Sequence, residues 1–369
     1  MTQVHVLAFH APYRCRHSGV CCTSRWAIPV EAPLYRSLER AIEWGQLRLD
    51  DHAGREPLFE PADDLPGSEP VVLGRRANGA CLFFEPSRGN LCGIQRQIDH
   101  AHLPSACRHF PRVVAIDPRG VFVTMSHVCP TAAALLISGG SAAVVTSGAA
   151  IDGHGVWEGL DARDALPPQL SADVLWDWDS WDRWERGAVA LLAADGRTPE
   201  SALGRLADAV ARTEAWRPEH GPLDAIVDDA LDPGVCTEAP IELSDAALGT
   251  LCTMVWQSVP ATLGASPHDV TFDVAGWELW APAIRRFLAA RAFANWVGYY
   301  GRGLTTWFLS VLTAYAVLRA AASNEVNGAG RPLDEVMLLR ALRQADELLV
   351  HKSSARDLAA ALDQMKEWR

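Results

Sequence analysis

Lysine is nearly missing from this chain of 369 residues: Lys352 and Lys366 are the two it has among 33 basic side chains, set against 45 acidic ones. The net charge of −12 and the pI near 5.4 argue against nucleic acid or an anionic membrane as partner, because phosphates are bound by neutralising them with lysine and arginine. No basic run exceeds Arg75-Arg76 or Arg285-Arg286. Long apolar runs are scarce as well. Residues 120–151 contain no Asp, Glu, Lys or Arg, but Pro130 and Gly139-Gly140 interrupt them. The run 303–318 stops short of the about 20 residues needed to cross hydrocarbon, so no membrane span is expected. The first ten residues, MTQVHVLAFH, lack the basic start and apolar stretch of a secretory signal. A reducing cytoplasm is the expected compartment.

Cysteine, by contrast, is concentrated. Of nine cysteines, Cys15, Cys21, Cys22, Cys81, Cys92, Cys107 and Cys129 fall within residues 13–130. Such a density in a reducing compartment reads as a metal or iron–sulfur site rather than a disulfide framework. Cys236 and Cys252 lie apart and read as small buried apolar side chains. The spacing is C-x5-C-C, then C-x10-C, then two lone cysteines, without the close pairs that clasp a zinc ribbon. Adjacent cysteines point apart in most backbone conformations, so one of Cys21 and Cys22 is a spare or the centre holds more than one metal. Seven thiols exceed the four that bind one [4Fe–4S] cluster, and His17 and His109 could add nitrogen ligands. A nucleophilic cysteine would need a depressed pKa and a histidine partner, and Cys107 beside His109 is the candidate.

The expected fold is α+β and mainly α, with residues 1–140 an irregular cysteine-rich metal-binding unit carrying a small β-hairpin and residues 141–369 an all-α helical domain that could form a substrate cleft. Apolar spacing predicts a helix over 31–44 and a shorter one over 94–102. Residues 50–70, rich in Asp, Glu, Pro and Gly, read as a surface loop. Asp117-Pro118-Arg119-Gly120 between β-branched runs predicts a hairpin that returns Cys129 towards Cys107. Ser180, Thr198 with Pro199, and Ser244 with Asp245 signal helix starts. Further helices are expected over 274–297, 304–322, 332–349 and 354–368. Leu304, Trp307, Phe308, Val311, Leu312, Tyr315 and Leu318 share one helical face, the spacing of a buried stripe. Trp176, Trp178, Trp181 and Trp184 alternate with acids and read as packing residues.

Four segments in order, YRCRHSGVCC, CLFF with LCGI, ACRHFPRVV and SHVCPTAA, resemble the cysteine-cluster family of zinc- or iron-chelating proteins (YkgJ-like). The match covers Cys15, Gly19, Cys21, Cys22, Cys81, Cys92, Cys107, Arg108, Phe110 and Pro111. Ser18 stands where that family usually has a further cysteine. Within the family, Cys129-Pro130 and the aromatic stretch RAFANWVGYYGR are similar to the flagellin lysine N-methylases. That resemblance implies an iron–sulfur cluster, S-adenosylmethionine as methyl donor, and a lysine-bearing protein substrate of the flagellin kind. The residues themselves show no glycine-rich dinucleotide loop and no C-x3-C-x2-C run of radical enzymes. A non-catalytic protein that chelates or delivers metal is the alternative.

Overall fold

The computed structural model describes residues 3–24, 26–49, 56–62, 71–147, 157–232, 234, 239–259 and 271–365. Cys236, most of the expected surface loop 50–70 and the end of the helix expected over 354–368 lie outside them. The fold is mixed α+β and mainly helical. Packing divides it into two compact units, one of residues 1–13, 112–128 and 132–369, the other of residues 14–111 and 129–131. This differs from a division at residue 140, because the hairpin packs with the helices.

The hairpin forms as its turn sequence predicts: Arg112–Asp117 pairs antiparallel with Gly120–Met125, from Arg112↔Met125 to Asp117↔Gly120. The second of these strands then takes Val4–Leu7 as a parallel neighbour, which pairs antiparallel with Val144–Ser147. Leu160–Asp161 completes a five-stranded sheet on the other side. Strand alternation sorts the side chains. Val6, Val114, Ile116, Val121 and Val123 make a small cluster, while Leu7, Phe9, Ala115 and Phe122 join the large helical core. The hairpin strands are therefore sheet for the helical unit, while Cys129, just beyond them, groups with the unit that holds Cys107, as the turn reading expected.

Helix starts follow capping chemistry, in which a side-chain oxygen accepts an otherwise orphaned backbone N–H. Thr198 caps Pro199–Glu214 and Ser244 caps Asp245–Gln257, as expected. Ser180 is not a cap: Asp177 accepts from the Ser180 N–H at 2.8 Å, and the helix is Trp178–Ala193. The helix expected over 274–297 is broken into a 3-10 turn Trp277–Trp280, the helix Ala281–Ala292 and a short turn Val297–Tyr300. Ala294 takes a left-handed φ of 52° in the gap, which no continuing helix permits. The helix expected over 332–349 ends at Asp346 and passes into a π turn, Glu347–Lys352. That expected over 94–102 is only Gly93–Gln97.

The helix Leu304–Ala329 is long and apolar enough to cross a membrane by length and composition, but 89% of its most apolar window is buried within the protein, which fits the core helix of a soluble unit. Its stripe residues Trp307, Phe308, Val311, Leu312, Tyr315 and Leu318 are all buried. Trp176, Trp181, Trp184 and Trp307 meet ring to ring at centroid distances of 5.6 to 6.5 Å. Trp178 is half-buried against the same core.

Polar groups are buried in this unit too. His10 Nε2 lies 3.2 Å from His127 Nε2, His127 Nδ1 lies 2.8 Å from Asp346 Oδ2, and His351 Nε2 lies 2.7 Å from Ser126 Oγ. Burial lowers the pKa of all three histidines, that of His351 to about 4, with Arg291 adding to the effect and Asp346 opposing it at His127 and His351. The folded protein thus holds neutral imidazoles while the unfolded chain gains protons as pH falls below about 6.5. Stability is full above that pH and is lost as it falls, and His351 alone costs about 3 kcal/mol by pH 4. Urea midpoints measured from pH 8 to pH 4 should fall with a slope of more than one proton. A flat profile across that range would show that these rings titrate freely.

The second unit is built around Ile28, Val30, Leu38, Ala41, Leu73, Phe83, Phe84 and Ile94. Pro29–Val30, Val71–Leu73 and Phe59–Pro61 form an antiparallel sheet, and the amphipathic helix Ala32–Glu43 lies within residues 31–44 as expected. Arg75 ties the loops, donating to Ser24 O, Gly79 O and Trp26 O. Glu85 accepts two bonds from Arg96, at 2.6 and 2.8 Å.

Candidate metal centre

The cysteine segments converge in the second unit through backbone geometry. Gly19 adopts φ +73° at the head of the one-turn helix Val20–Thr23. A Cβ there would stand 2.6 Å from Phe84 Cζ, so the close approach of the two segments requires glycine. Cys22 O accepts from Cys81 N at 2.7 Å, and Cys81 O from Phe84 N at 3.1 Å. Phe84 is in turn the strand partner of Cys92. Cys107 rides on the helix Ser105–His109, whose first N–H is taken by Glu31 Oε1 at 2.8 Å. Residues far apart in the chain are thereby fixed around one place.

Cys21 Sγ and Cys22 Sγ are 3.9 Å apart. This corrects the expectation that adjacent thiols diverge: the helical turn brings both to one side. The spacing is close to the ~3.8 Å edge of a tetrahedron of sulfurs about 2.3 Å from a metal. The two share a proton. The hydrogen bond between them, which either thiol could donate, lowers the Cys21 pKa to about 7, and Cys22 is pushed up, by that bond first and by burial second.

Burial pushes Cys81 up to about 12, raises Cys92, and raises Cys107 well above an ordinary thiol. Neighbouring thiolates add to every one of these shifts: Cys92 and Cys81 act on Cys107 and on Cys22, and Cys21 acts on Cys81, Cys92 and Cys107. These five thiols therefore feel one another. Cys107 is the opposite of a nucleophile, and His109 Nδ1 is engaged by its own helix, 3.0 Å from Ser105 O. Cys15 is exposed, with Sγ 3.9 Å from His17 Nδ1. Cys129 is buried and groups with this unit, and Cys252 is buried in the other. Among the described residues, no three His, Cys, Asp or Glu side chains are already arranged to hold a metal ion.

No protein family, no curated protein and no solved structure matches this chain. The argument for the site thus rests on its chemistry.

Five thiols, four of them held protonated because burial and a neighbouring thiolate oppose further charge, are a donor set in which a soft cation can take the place of the protons and offset the charge of the thiolates. Sequence reasoning found the thiols but not Glu31, Phe84 or Arg75, which position them. The one visible trace was Gly19 in its turn. In metal-free protein at pH 8, iodoacetamide should label Cys21 first of the five and Cys81 and Cys107 last, as read by peptide mass. Early labelling of Cys107 would contradict the proton assignment above.

Proposed function

We propose that residues 14–111 form a soft-metal centre in which four of Cys21, Cys22, Cys81, Cys92 and Cys107 hold an iron–sulfur cluster of the [4Fe–4S] type. The observation that carries this reading is the backbone geometry that gathers five free thiols in a unit with its own core, with Cys21 and Cys22 sulfurs 3.9 Å apart, Cys81 N bonded to Cys22 O at 2.7 Å and Cys92 paired with Phe84. A bound cluster supplies electron transfer or a Lewis-acidic iron. The chain's own part is to fix the thiols: Cys21 and Cys22 on one helical turn, Cys81 and Cys92 on paired backbone, Cys107 on a helix capped by Glu31.

Methyl transfer from S-adenosylmethionine to a lysine of a flagellin-like protein is a further proposal, drawn from the sequence resemblance. Of the acids that alternate with the tryptophans and could orient such a lysine, Asp177 caps a helix and Asp182 pairs with Arg186 at 2.6 Å.

The test is anaerobic purification of the full chain followed by iron, zinc and acid-labile sulfide analysis. Near-equal iron and sulfide in a brown protein is the expected result. Stoichiometric zinc without sulfide would replace the cluster by a thiolate zinc site, and a folded protein that binds neither would end the proposal. Cluster-replete protein mixed with labelled S-adenosylmethionine and flagellin then decides the transfer reaction, by label on lysine or its absence.

A further inference from the structure

The helical unit contains a half-open cavity of about 190 Å³ between the helices Asp245–Gln257 and Leu304–Ala329 and the π turn Glu347–Lys352. Its floor is apolar. Ala320, Ala321 and Cys252 are buried there, and the two alanines leave the space that larger side chains fill elsewhere along the same helix. Trp256 forms a wall. Burial pushes the Cys252 thiol up to about 12, so it contributes a neutral surface.

The rim is charged. Lys352 Nζ lies 2.9 Å from Glu347 Oε1, and both side chains are about one-third exposed. The π turn sets these two at its ends: Ser353 N bonds Leu348 O at 2.9 Å, five residues back, and this wider winding opens the mouth. π turns are rare and concentrate at functional sites. An ion pair this exposed is weak, because water solvates both partners. It can exchange partners with a ligand at little cost.

We propose that this cavity binds a free amino acid with an apolar side chain, the side chain on the alanine floor beside Trp256, the α-ammonium on Glu347 and the α-carboxylate on Lys352. The size fits: about 150 Å³ accommodates benzene in an apolar cavity, so one ring or a branched aliphatic group fills this floor and leaves the head at the rim. A purely apolar ligand would leave the rim unused, and an ion of one sign would leave one rim charge without a partner. A zwitterion satisfies both. The site lies wholly in the helical unit and does not depend on the metal reading.

The experiment is calorimetric titration of the full chain with L-phenylalanine, alongside phenethylamine and 3-phenylpropionate, which each lack one head charge. L-phenylalanine should bind with a 1:1 stoichiometry and more tightly than either analogue. Lys352→Met and Glu347→Gln should each weaken it by about fivefold, and Ala321→Leu should abolish binding with an unchanged circular dichroism spectrum. Should Ala321→Leu not fold, a second measurement stands on the unaltered chain: L-phenylalanine should slow modification of Cys252 by methyl methanethiosulfonate. Equal affinities for all three compounds, unchanged affinity in both rim variants, or no binding of L-phenylalanine, L-leucine or L-methionine to folded protein would each overturn the proposal.

Discussion

In the proposed centre, serine at Cys81, Cys92 or Cys107 should cost more than about 100-fold in metal affinity, beyond what loss of an outer-shell partner costs. Each of these positions is held by backbone that the rest of the site does not duplicate: Cys81 by its bond to Cys22 O, Cys92 by strand pairing with Phe84, and Cys107 by its capped helix. Cys21 and Cys22 differ. Their sulfurs are 3.9 Å apart, so a single change at either should be tolerated better than the double change. Cys252→Ser, in the other unit, should retain full metal.

Because such a centre can be worth on the order of 10 kcal/mol of folding free energy, chelation should loosen residues 14–111 in hydrogen exchange. The hairpin Arg112–Met125 should stay protected, since it belongs to the five-stranded sheet of the helical unit. Equal metal loss from Cys252→Ser, or full retention by the Cys92 and Cys107 variants together, would refute the assignment of ligands. Loosening of the hairpin along with residues 14–111 would refute the division into units.

Asp346→Ala should destabilise the helical unit by about 3–5 kcal/mol, the cost of breaking a buried ionic network from one side. Asp346 is fully buried and accepts from His127 N at 2.6 Å and from His127 Nδ1 at 2.8 Å, with Arg291 Nη1 at 3.6 Å. Burial by itself would raise its pKa, but Arg291 and His127 outweigh burial and hold it below the ordinary carboxylate value. Truncation leaves a backbone N–H unsatisfied and the Arg291 guanidinium without its buried counter-charge. Asp346→Asn keeps an acceptor and should cost less than alanine. Urea unfolding followed by tryptophan fluorescence measures both, and a loss of under about 1 kcal/mol in the alanine variant would show that the network is solvated rather than buried.

Where neighbours in sequence decide the energy, the sequence was readable. Thr198 and Ser244 cap their helices because the N–H groups they satisfy lie three residues on. The hairpin turn at Asp117 to Gly120 formed for the same local reason, and the buried face of Leu304–Ala329 follows from 3.6-residue spacing. The confinement of seven thiols to the first third of the chain was equally plain, and with it the case for a soft-metal site.

Tertiary packing decided the rest. Val4–Leu7 carries no strong strand signal of its own, and it becomes a strand by burying Val6 beside Val121 and Val123 in a sheet closed from more than a hundred residues away. That pairing moved the hairpin out of the cysteine unit. The approach of Cys21 to Cys22, the burial that raises Cys81 and Cys107, and the gathering of His10, His127 and Asp346 each depend on which surfaces exclude water together. Desolvation and through-space charge have no period along a chain, so the protonation states of this site exist only once the fold has closed around it.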